Sequence, residues 1–162
     1  MTLYLTHNKI ISTVKQLARK LDHVLRPKPF SLVGIAEGGV LFAHVLSSHL
    51  ETSHELLFTP QKDYRALQKP IVLVDCIVDT GRTLRDELNH LKADACDALS
   101  VALLLRGTAE LYPTLWGHFV LGRSFFVGFG LDDRNGKRRE LPDIYIEGEV
   151  DGTSADHPCG SC

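Results

Sequence analysis

The chain has 162 residues, of which 44% are hydrophobic, and a formal net charge of −2 at pH 7. This length allows one domain with a substantial core, and the charge argues against a protein that binds nucleic acid mainly through a basic surface. No apolar run is long enough to cross a bilayer, and the N-terminus lacks the features of a signal peptide, so we expect a cytoplasmic protein without a membrane partner.

The first half of the chain alternates between helical and strand patterns. Apolar residues at helical spacing predict an amphipathic helix over residues 8–25, with a face formed by Ile10, Val14, Leu17, Leu21 and Val24. FSLVGIA predicts a short strand, residues 37–39 (EGG) a turn, and VLFAHVLSSHL a second helix. HELLFT predicts a second strand, and the polar, Pro-bounded segment PQKDYRALQKP predicts a loop.

The second half continues the alternation and ends in a polar segment. Residues 71–75 predict a buried strand, residues 83–92 a helix, and DALSVALLL, FFVGFGL and DIYIEG three further strands. The predicted helix carries Leu84, Leu88 and Leu91 on one face. Strands that alternate with helices indicate an α/β fold with a mostly parallel sheet flanked by helices. We assign residues 1–147 to a single domain and residues 148–162 to a flexible polar tail.

The cysteines do not form a disulfide framework, since two lie in the patterned body and two in the tail. In the tail, His157, Cys159 and Cys162 could donate to zinc. A structural zinc site needs four ligands, so a flexible tail is the preferred interpretation.

The stretch VLVDCIVDTGRTL brings two carboxylates, Asp75 and Asp79, to the end of an apolar strand. Ligands of open parallel sheets collect at the carboxyl ends of the strands. The free N–H groups and the dipole of the following helix favour a phosphate there. Because the carboxylates would oppose a bare phosphate, we predict a sugar phosphate, with hydroxyls or a metal on the carboxylates. The predicted phosphate contacts come from Thr80, Gly81, Arg82 and Thr83.

Two other interpretations of this stretch stay open at the level of the sequence. Asp79 and Thr80 could simply cap a helix. The Asp-Thr-Gly triplet also occurs in the catalytic loop of aspartic proteases, although that fold is all-β and an amphipathic helix follows here.

VLVDCIVDTGRTL resembles the phosphoribosyl-diphosphate-binding signature of type I phosphoribosyltransferases. LVGIAEGGVLFAHVL is similar to the strand, turn and helix that hold pyrophosphate in these enzymes, and SFFVGFGLDDRNGKRRELPDIYI is similar to the C-terminal part of their hypoxanthine-guanine branch. The resemblance covers residues 31–146 in the order of the family. It implies the type I phosphoribosyltransferase fold, with a small C-terminal hood of strands and loops.

The implied activity is purine salvage. The phosphoribosyl group of phosphoribosyl diphosphate would pass to hypoxanthine and/or guanine, giving IMP or GMP, with Mg²⁺ as the cofactor. The family's usual assembly implies a homo-oligomer, a dimer or a tetramer. Two alternatives remain: a transferase for xanthine or another nucleobase, and a non-catalytic module that binds a nucleotide or phosphoribosyl diphosphate.

The resemblance also implies roles for individual residues. Asp79 is the expected general base, and phosphoribosyl diphosphate is expected to contact Asp75, Asp79, Thr80, Gly81, Arg82 and Thr83. Pyrophosphate is expected on Glu37, Gly38, Gly39 and Arg139, with Arg138 an equally good candidate by spacing. The purine side is expected to comprise Arg106 at the exocyclic oxygen, Phe125 stacking on the ring, the backbone of Phe126, and Asp132. The expected metal ligands are Asp75 and Asp132.

Each purine-side residue also has an ordinary structural interpretation. Phe125 and Phe126 could be core residues, and Arg106 could be a solvated strand end. Asp132 and Asp133 could form the turn before RNGK.

Three departures from the family pattern bear on activity. Cys76 stands where a second acid is usual, which predicts a weaker ribose contact. The usual long loop with a Ser-Tyr pair is missing, and Tyr64, with Lys62 and Arg65, is the expected shorter lid. Glu37 stands where the hypoxanthine branch usually has a basic residue, and would repel pyrophosphate unless Mg²⁺ bridges them.

Overall fold

The computed structural model describes residues 1–58, 64–94 and 97–148. The elements follow the chain as β1 (Thr2–Leu5), α1 (His7–Leu25), β2 (Phe30–Gly34), α2 (Ala36–Ser47), β3 (His54–Phe58), a 3₁₀ turn (Tyr64–Ala66), β4 (Ile71–Val78), α3 (Arg82–Ala93), β5 (Ala98–Arg106), β6 (Leu115–Val120), β7 (Phe125–Val127) and β8 (Ile144–Glu147).

A five-stranded sheet in the order β3-β2-β4-β5-β6 forms the centre of the fold, and all of its neighbouring strands are parallel. Its apolar runs are buried on both faces, as parallel strands under helices require. One face packs with α1 and α2 through residues such as Leu32, Val72 and Val74. The other face packs with α3 through residues such as Leu73 and Leu105. The predicted fold class is therefore confirmed.

Helix α1 begins with a side-chain cap, because the Thr6 hydroxyl accepts a hydrogen bond from the Lys9 N–H at 3.3 Å. The predicted apolar face is buried except at Val24, which is 59% exposed, and Leu25 is buried in its place. In α3, Leu84 and Leu91 are buried and Leu88 packs against them, as predicted.

A second, antiparallel sheet in the order β1-β8-β7 forms the hood. Phe126, Ile144 and Ile146 of this hood sheet join the core cluster that also holds α1 and α2. The hood was predicted from the C-terminal strands alone, but its edge strand β1 comes from the N-terminus and pairs Thr2 with Ile146.

Two local predictions are wrong, and one strand was not predicted. Residues 37–39 do not form a turn, because α2 begins at Ala36 and includes them. The buried strand predicted over residues 71–75 runs on to Val78. Strand β6 was not predicted, since Gly117 and His118 interrupt its apolar pattern.

Some expectations fall on residues that the structure does not describe. These include Lys62, Cys96 and the predicted tail beyond Gly148, with its three possible zinc donors. Within the described ranges, none of the helices combines the length and the apolar character needed to cross a membrane.

Strands β2 and β4 are neighbours, but their following helices lead in opposite directions. Helix α2 leads to β3 on one side, and α3 leads to β5 on the other. The first turns of the two helices therefore diverge at the carboxyl edge of the sheet and leave a crevice between them. This topological switch point is where open α/β sheets bind ligands.

The close packing of α2 on β4 depends on Gly39. A Cβ added at Gly39 would lie 2.5 Å from the Val74 carbonyl oxygen, whereas one at Gly38 would meet its nearest neighbour at an ordinary 3.5 Å. We expect Gly39→Ala to lower the free energy of unfolding by about 1–3 kcal/mol. Gly38→Ala, the matched control, should be neutral or slightly stabilising because alanine favours the helix. Urea denaturation measures both, and equal effects would contradict this packing constraint.

Candidate active site

The crevice at the switch point consists of two adjoining depressions. The first is lined by Asp75 and by the loop that runs from β4 into α3. The second is lined by the first turn of α2 and by Leu131, Asp132 and Arg139 beyond β7. Asp75 and Ile77 line both, so the two depressions form one cleft across the carboxyl edge of the sheet.

One side of the cleft is the phosphate turn, which comprises residues 79–83. Gly81 precedes α3 with φ 83°, and no side chain caps the helix. A Cβ on Gly81 would be strained at this φ and would lie 3.0 Å from the Leu111 carbonyl oxygen. Thr80, Arg82 and Thr83 are exposed at the turn. The turn thus offers the backbone N–H groups of a helix N-terminus, two hydroxyls and a guanidinium to an anion.

The β5–β6 connection supports this turn from behind. The Glu110 N–H donates to the Thr80 carbonyl at 3.1 Å, and Arg85 pairs with the Glu110 carboxylate at 2.9 Å. Sequence analysis missed Glu110 and Leu111 as supporting residues, because nothing in the spacing of ELYP indicates contact with the turn.

Asp79 does not cap α3. Its carboxylate forms an ion pair with the Arg106 Nε, and 58% of the Asp79 side chain is exposed. The capping interpretation is therefore wrong for Asp79, although the Thr80 hydroxyl does accept a long hydrogen bond of 3.3 Å from the Arg82 N–H. The aspartic protease interpretation is also wrong, because the sheet is parallel and a helix follows the triplet.

Asp75 and Cys76 point to opposite faces of β4, as consecutive strand residues must. Asp75 lines the cleft, whereas Cys76 is fully buried in the core with its thiol 3.5 Å from the Phe129 carbonyl oxygen. Burial raises the pKa of the Cys76 thiol well above its ordinary value. The weaker ribose contact predicted for Cys76 is therefore not supported, since this side chain does not line the cleft.

Burial also raises the pKa of the Asp75 carboxyl, to about 7, against the opposing effect of hydrogen bonds from the N–H groups of Ile77 and Cys76. The carboxylate lines both depressions of the cleft. Its charge is disfavoured until a ligand or a cation provides compensation.

The other side of the cleft is organised around Arg139. Its guanidinium donates to Asp132 at 2.7 Å and to the Gly130 carbonyl at 2.8 Å, and it pairs with Glu37 at 2.7 Å. Arg138, the alternative by spacing, instead faces Asp133 at 3.4 Å. The structure thus brings Glu37, Asp132 and Arg139 together and leaves Arg138 outside the group.

The first turn of α2 completes this side. Gly38 lines the cleft, whereas Gly39 packs against β4. Ala36, which also lines the cleft, has φ 54°. This left-handed conformation is strained for an alanine, and such strain clusters at functional sites.

The acidic pair Asp132 and Asp133 divides into two roles. Asp133 is buried and accepts hydrogen bonds from the N–H groups of Asn135 and Lys137, both at 2.9 Å. These bonds, chiefly that from Lys137, lower the pKa of its carboxyl. Asp133 is therefore the turn former, whereas Asp132 lines the cleft and accepts its hydrogen bond from Arg139.

The two neighbouring phenylalanines also differ. Phe126 is 5% exposed and packs on Tyr4 with a centroid separation of 4.9 Å, so its ring belongs to the core. Phe125 is 36% exposed, and the Arg134 guanidinium lies 5.7 Å from its ring centroid. Of the two, only Phe125 offers a ring for stacking.

The expected short lid is not supported at Tyr64. This residue is 2% exposed, belongs to the core cluster beneath α3, and donates a 2.5 Å hydrogen bond to Glu87. Arg65 faces Asp94 at 3.9 Å. Both residues are therefore anchored on the α3 side instead of covering the cleft.

The donor chemistry of the second depression suits a hard cation. Asp75, Asp132 and Glu37 present carboxylate oxygens there, the ligands that Mg²⁺ prefers. Across residues 1–58, 64–94 and 97–148, no group of three or more His, Cys, Asp or Glu side chains converges as a metal site. A cation here would need further oxygens from its ligand.

Comparisons with known proteins agree with this geometry, although no family model matches the chain. The hypoxanthine-guanine phosphoribosyltransferase of Streptococcus pneumoniae is 25% identical over 162 aligned positions, covering 87% of this chain and 89% of that protein. A solved hypoxanthine-guanine phosphoribosyltransferase from Bacillus anthracis superposes with a TM-score of 0.81 at 19% identity, covering 91% and 99% of the two chains. A solved hypoxanthine-guanine-xanthine phosphoribosyltransferase gives a TM-score of 0.76 at 25% identity, covering 91% and 94%.

These similarities confirm the resemblance drawn from the sequence. The chain has the type I phosphoribosyltransferase fold, and the relatives that it matches carry names from the hypoxanthine-guanine branch.

The raised pKa of Asp75 makes stability depend on pH. An acid that ionises near pH 7 when folded and near pH 4 when unfolded destabilises the folded state progressively as pH rises through this interval. We expect Asp75→Asn to unfold like the unaltered chain at pH 4 and to be more stable by roughly 2 kcal/mol at pH 8, a value reduced because the side chain is part-exposed. Denaturant titrations across this range measure the difference.

Asp86, an exposed carboxylate on α3, provides the matched control. Asp86→Asn should leave the pH dependence of the free energy of unfolding unchanged. A constant difference between Asp75→Asn and the unaltered chain from pH 4 to pH 8 would contradict the raised pKa.

Proposed function

We propose that this chain, which has the type I phosphoribosyltransferase fold, is a purine phosphoribosyltransferase. It transfers the 5-phosphoribosyl group of phosphoribosyl diphosphate to hypoxanthine and/or guanine, releasing pyrophosphate and forming IMP or GMP. The observation that carries the proposal is the cleft at the switch point, where the phosphate turn and the Arg139 group lie on opposite sides of Asp75.

The 5′-phosphate of the donor is assigned to the phosphate turn. The helix N-terminus, the hydroxyls of Thr80 and Thr83 and the charge of Arg82 all favour a dianion. Gly81 permits the close approach of the backbone, and the adjacent carboxylates would discourage a bare phosphate. A phosphate attached to a sugar suits both the phosphate turn and the adjacent carboxylates, because Asp75 then accepts hydrogen bonds from ribose hydroxyls.

The leaving pyrophosphate is assigned to the second depression, between Glu37, Gly38 and Arg139. Asp75 and Asp132 would hold Mg²⁺ there. When bound, Mg²⁺ supplies charge neutralisation for the diphosphate. Glu37 takes the place of a basic residue, but its carboxylate is already paired with Arg139 at 2.7 Å. This pairing offsets the repulsion that the sequence predicted for Glu37.

The purine is assigned to the Asp79 side of the cleft, and the exposed Phe125 ring is the proposed stacking partner. The ring nitrogen forms a bond to the anomeric carbon as the bond from that carbon to pyrophosphate breaks. Positive charge develops on the sugar in the transition state, and the purine loses a proton. The Asp79 carboxylate is exposed on the phosphate turn and is the group in position to take that proton.

A second candidate is a non-catalytic module that binds a nucleotide or phosphoribosyl diphosphate. The observation that favours it is the Arg139 guanidinium, which is shared by two carboxylates and so has less charge available for pyrophosphate. Such a module would bind nucleotides at the phosphate turn without turning over substrate.

The identity of the purine, the metal, the assembly and the location remain predictions. One structural relative carries xanthine in its name as well as hypoxanthine and guanine. Xanthine therefore belongs in any assay of the chain. Mg²⁺ as the cofactor and a homo-oligomer are expected from the family resemblance, and a cytoplasmic location is expected from the sequence.

The direct test incubates the chain with phosphoribosyl diphosphate, Mg²⁺ and hypoxanthine, guanine or xanthine in turn, and follows nucleotide formation. We expect turnover with at least one base. Asp79→Asn should lower kcat by about 100-fold or more, because general base catalysis typically contributes that factor.

Asp86→Asn is the matched control, since it removes an exposed carboxylate from α3, the helix that follows the phosphate turn, without touching the cleft. It should retain full activity. Tight nucleotide binding without product from any base would favour the non-catalytic module. Turnover that survives in Asp79→Asn would overturn the assigned role of Asp79.

A further inference from the structure

An ion pair joins the two walls of the second depression. Glu37 lies in the first turn of α2, whereas Asp132 and Arg139 lie in the connection between β7 and β8. One terminal nitrogen of the Arg139 guanidinium is 2.7 Å from a Glu37 carboxylate oxygen and 2.7 Å from an Asp132 carboxylate oxygen. All three residues line the depression, so the contact between Glu37 and Arg139 spans it.

The two carboxylates are held with different strength. Asp132 accepts a hydrogen bond from Arg139, and 39% of the Asp132 side chain is exposed. Glu37 contributes an ion pair, and 82% of its side chain is exposed. Ion pairs with an exposed partner contribute little to stability because water screens them. Arg139 is also fixed by the Gly130 carbonyl at 2.8 Å, so Glu37 is the partner that an incoming anion displaces.

The Glu37 carboxylate uses the same positive charges that an anionic ligand would use. It lies in the first turn of α2, where the helix dipole favours negative charge. It also takes part of the charge of Arg139. A pyrophosphate bound between the N-terminus of α2 and Arg139 would depend on these two sources of positive charge. Glu37 and pyrophosphate therefore compete for them.

We propose that Glu37 is an internal competitor of the leaving pyrophosphate, and that it sets the affinity of the second depression for diphosphate groups. This inference rests on the proposed function. Pyrophosphate must open the ion pair between Glu37 and Arg139 before it gains the guanidinium, and this step subtracts from its binding free energy. The ion pair therefore weakens the hold on pyrophosphate and favours its release after transfer.

Isothermal titration with pyrophosphate in the presence of Mg²⁺ tests the competition directly. Glu37→Gln removes the charge with little change in shape, and we expect it to lower the Kd about tenfold, the order expected for one partly screened charge at this distance. Glu140→Gln, the matched control, removes an exposed carboxylate next to Arg139 in the chain and should change the Kd by less than about twofold. An unchanged Kd in Glu37→Gln would overturn the proposal. Weaker binding would mean that Glu37 assists through the cation, and would also overturn it.

A double-mutant cycle separates competition for Arg139 from simple repulsion. Phosphoribosyl diphosphate is the ligand for this cycle, because the phosphate turn still holds it when Arg139 is replaced. In Arg139→Gln there is no guanidinium to compete for, so adding Glu37→Gln should change the Kd by less than about threefold. A tenfold gain in that background would mean that Glu37 merely repels the ligand, and would overturn the proposal.

IMP distinguishes failure of this proposal from failure of the proposed function. IMP carries the 5′-phosphate but no diphosphate, so Glu37→Gln should leave its Kd within about twofold. Binding of IMP with no binding of pyrophosphate to either chain would overturn the proposal and leave the phosphate turn assigned. Tighter pyrophosphate binding in Glu37→Gln, without turnover by the unaltered chain, would support the competition and count against the transferase.

Discussion

The neighbouring position of β2 and β4, with helices that depart in opposite directions, is the constraint on which the site depends. Because the two strands are parallel and in register from Ser31 opposite Ile71, their carboxyl ends reach the same edge together. The N-termini of α2 and α3 then face the same crevice from two sides. Two helix N-termini favour two anionic groups. Phosphoribosyl diphosphate, which has a phosphate at one end and a diphosphate at the other, would supply one anionic group to each helix N-terminus.

Ion pairs fix the acidic side chains of the cleft in advance of a ligand. Arg106 holds Asp79, and Arg139 holds both Asp132 and Glu37. Each guanidinium is less exposed than the carboxylates that it holds. The loss of conformational entropy on ordering these carboxylates therefore occurs when the chain folds and not during the reaction. The same pairing explains how a glutamate can replace a basic residue without leaving an unbalanced charge.

Sequence patterns predicted the parts of the fold whose burial is continuous. The run from Ile71 was predicted because both faces of β4 are covered, and Gly81 marked the phosphate turn. Strand β6 was missed because an edge strand tolerates Gly117 within it. The orientation of Cys76 was missed because the predicted strand ended at Asp75. Once β4 runs to Val78, its period of two directs Cys76 into the core.

The choice between neighbouring residues also needed the structure. Spacing gave Arg138 and Arg139 equal weight, but Arg138 adopts φ 69° and the chain turns there, so that Arg139 faces the cleft. Similarly, two adjacent aspartates look alike in a sequence, whereas the local hydrogen bonds of Asp133 separate them. The contacts of Arg106 with Gly122 and Ser124 join distant turns that no local pattern connects.

The central claim is that the turn before α3 binds the 5′-phosphate of a nucleotide. Isothermal titration of the chain with IMP and with inosine tests it most directly, since these ligands differ only in that phosphate. We predict that IMP binds at least about 100-fold more tightly, because a dianion gains charge-assisted hydrogen bonds from the helix N-terminus and Arg82. Equal affinity for the two ligands, or no binding of IMP, would contradict the assignment.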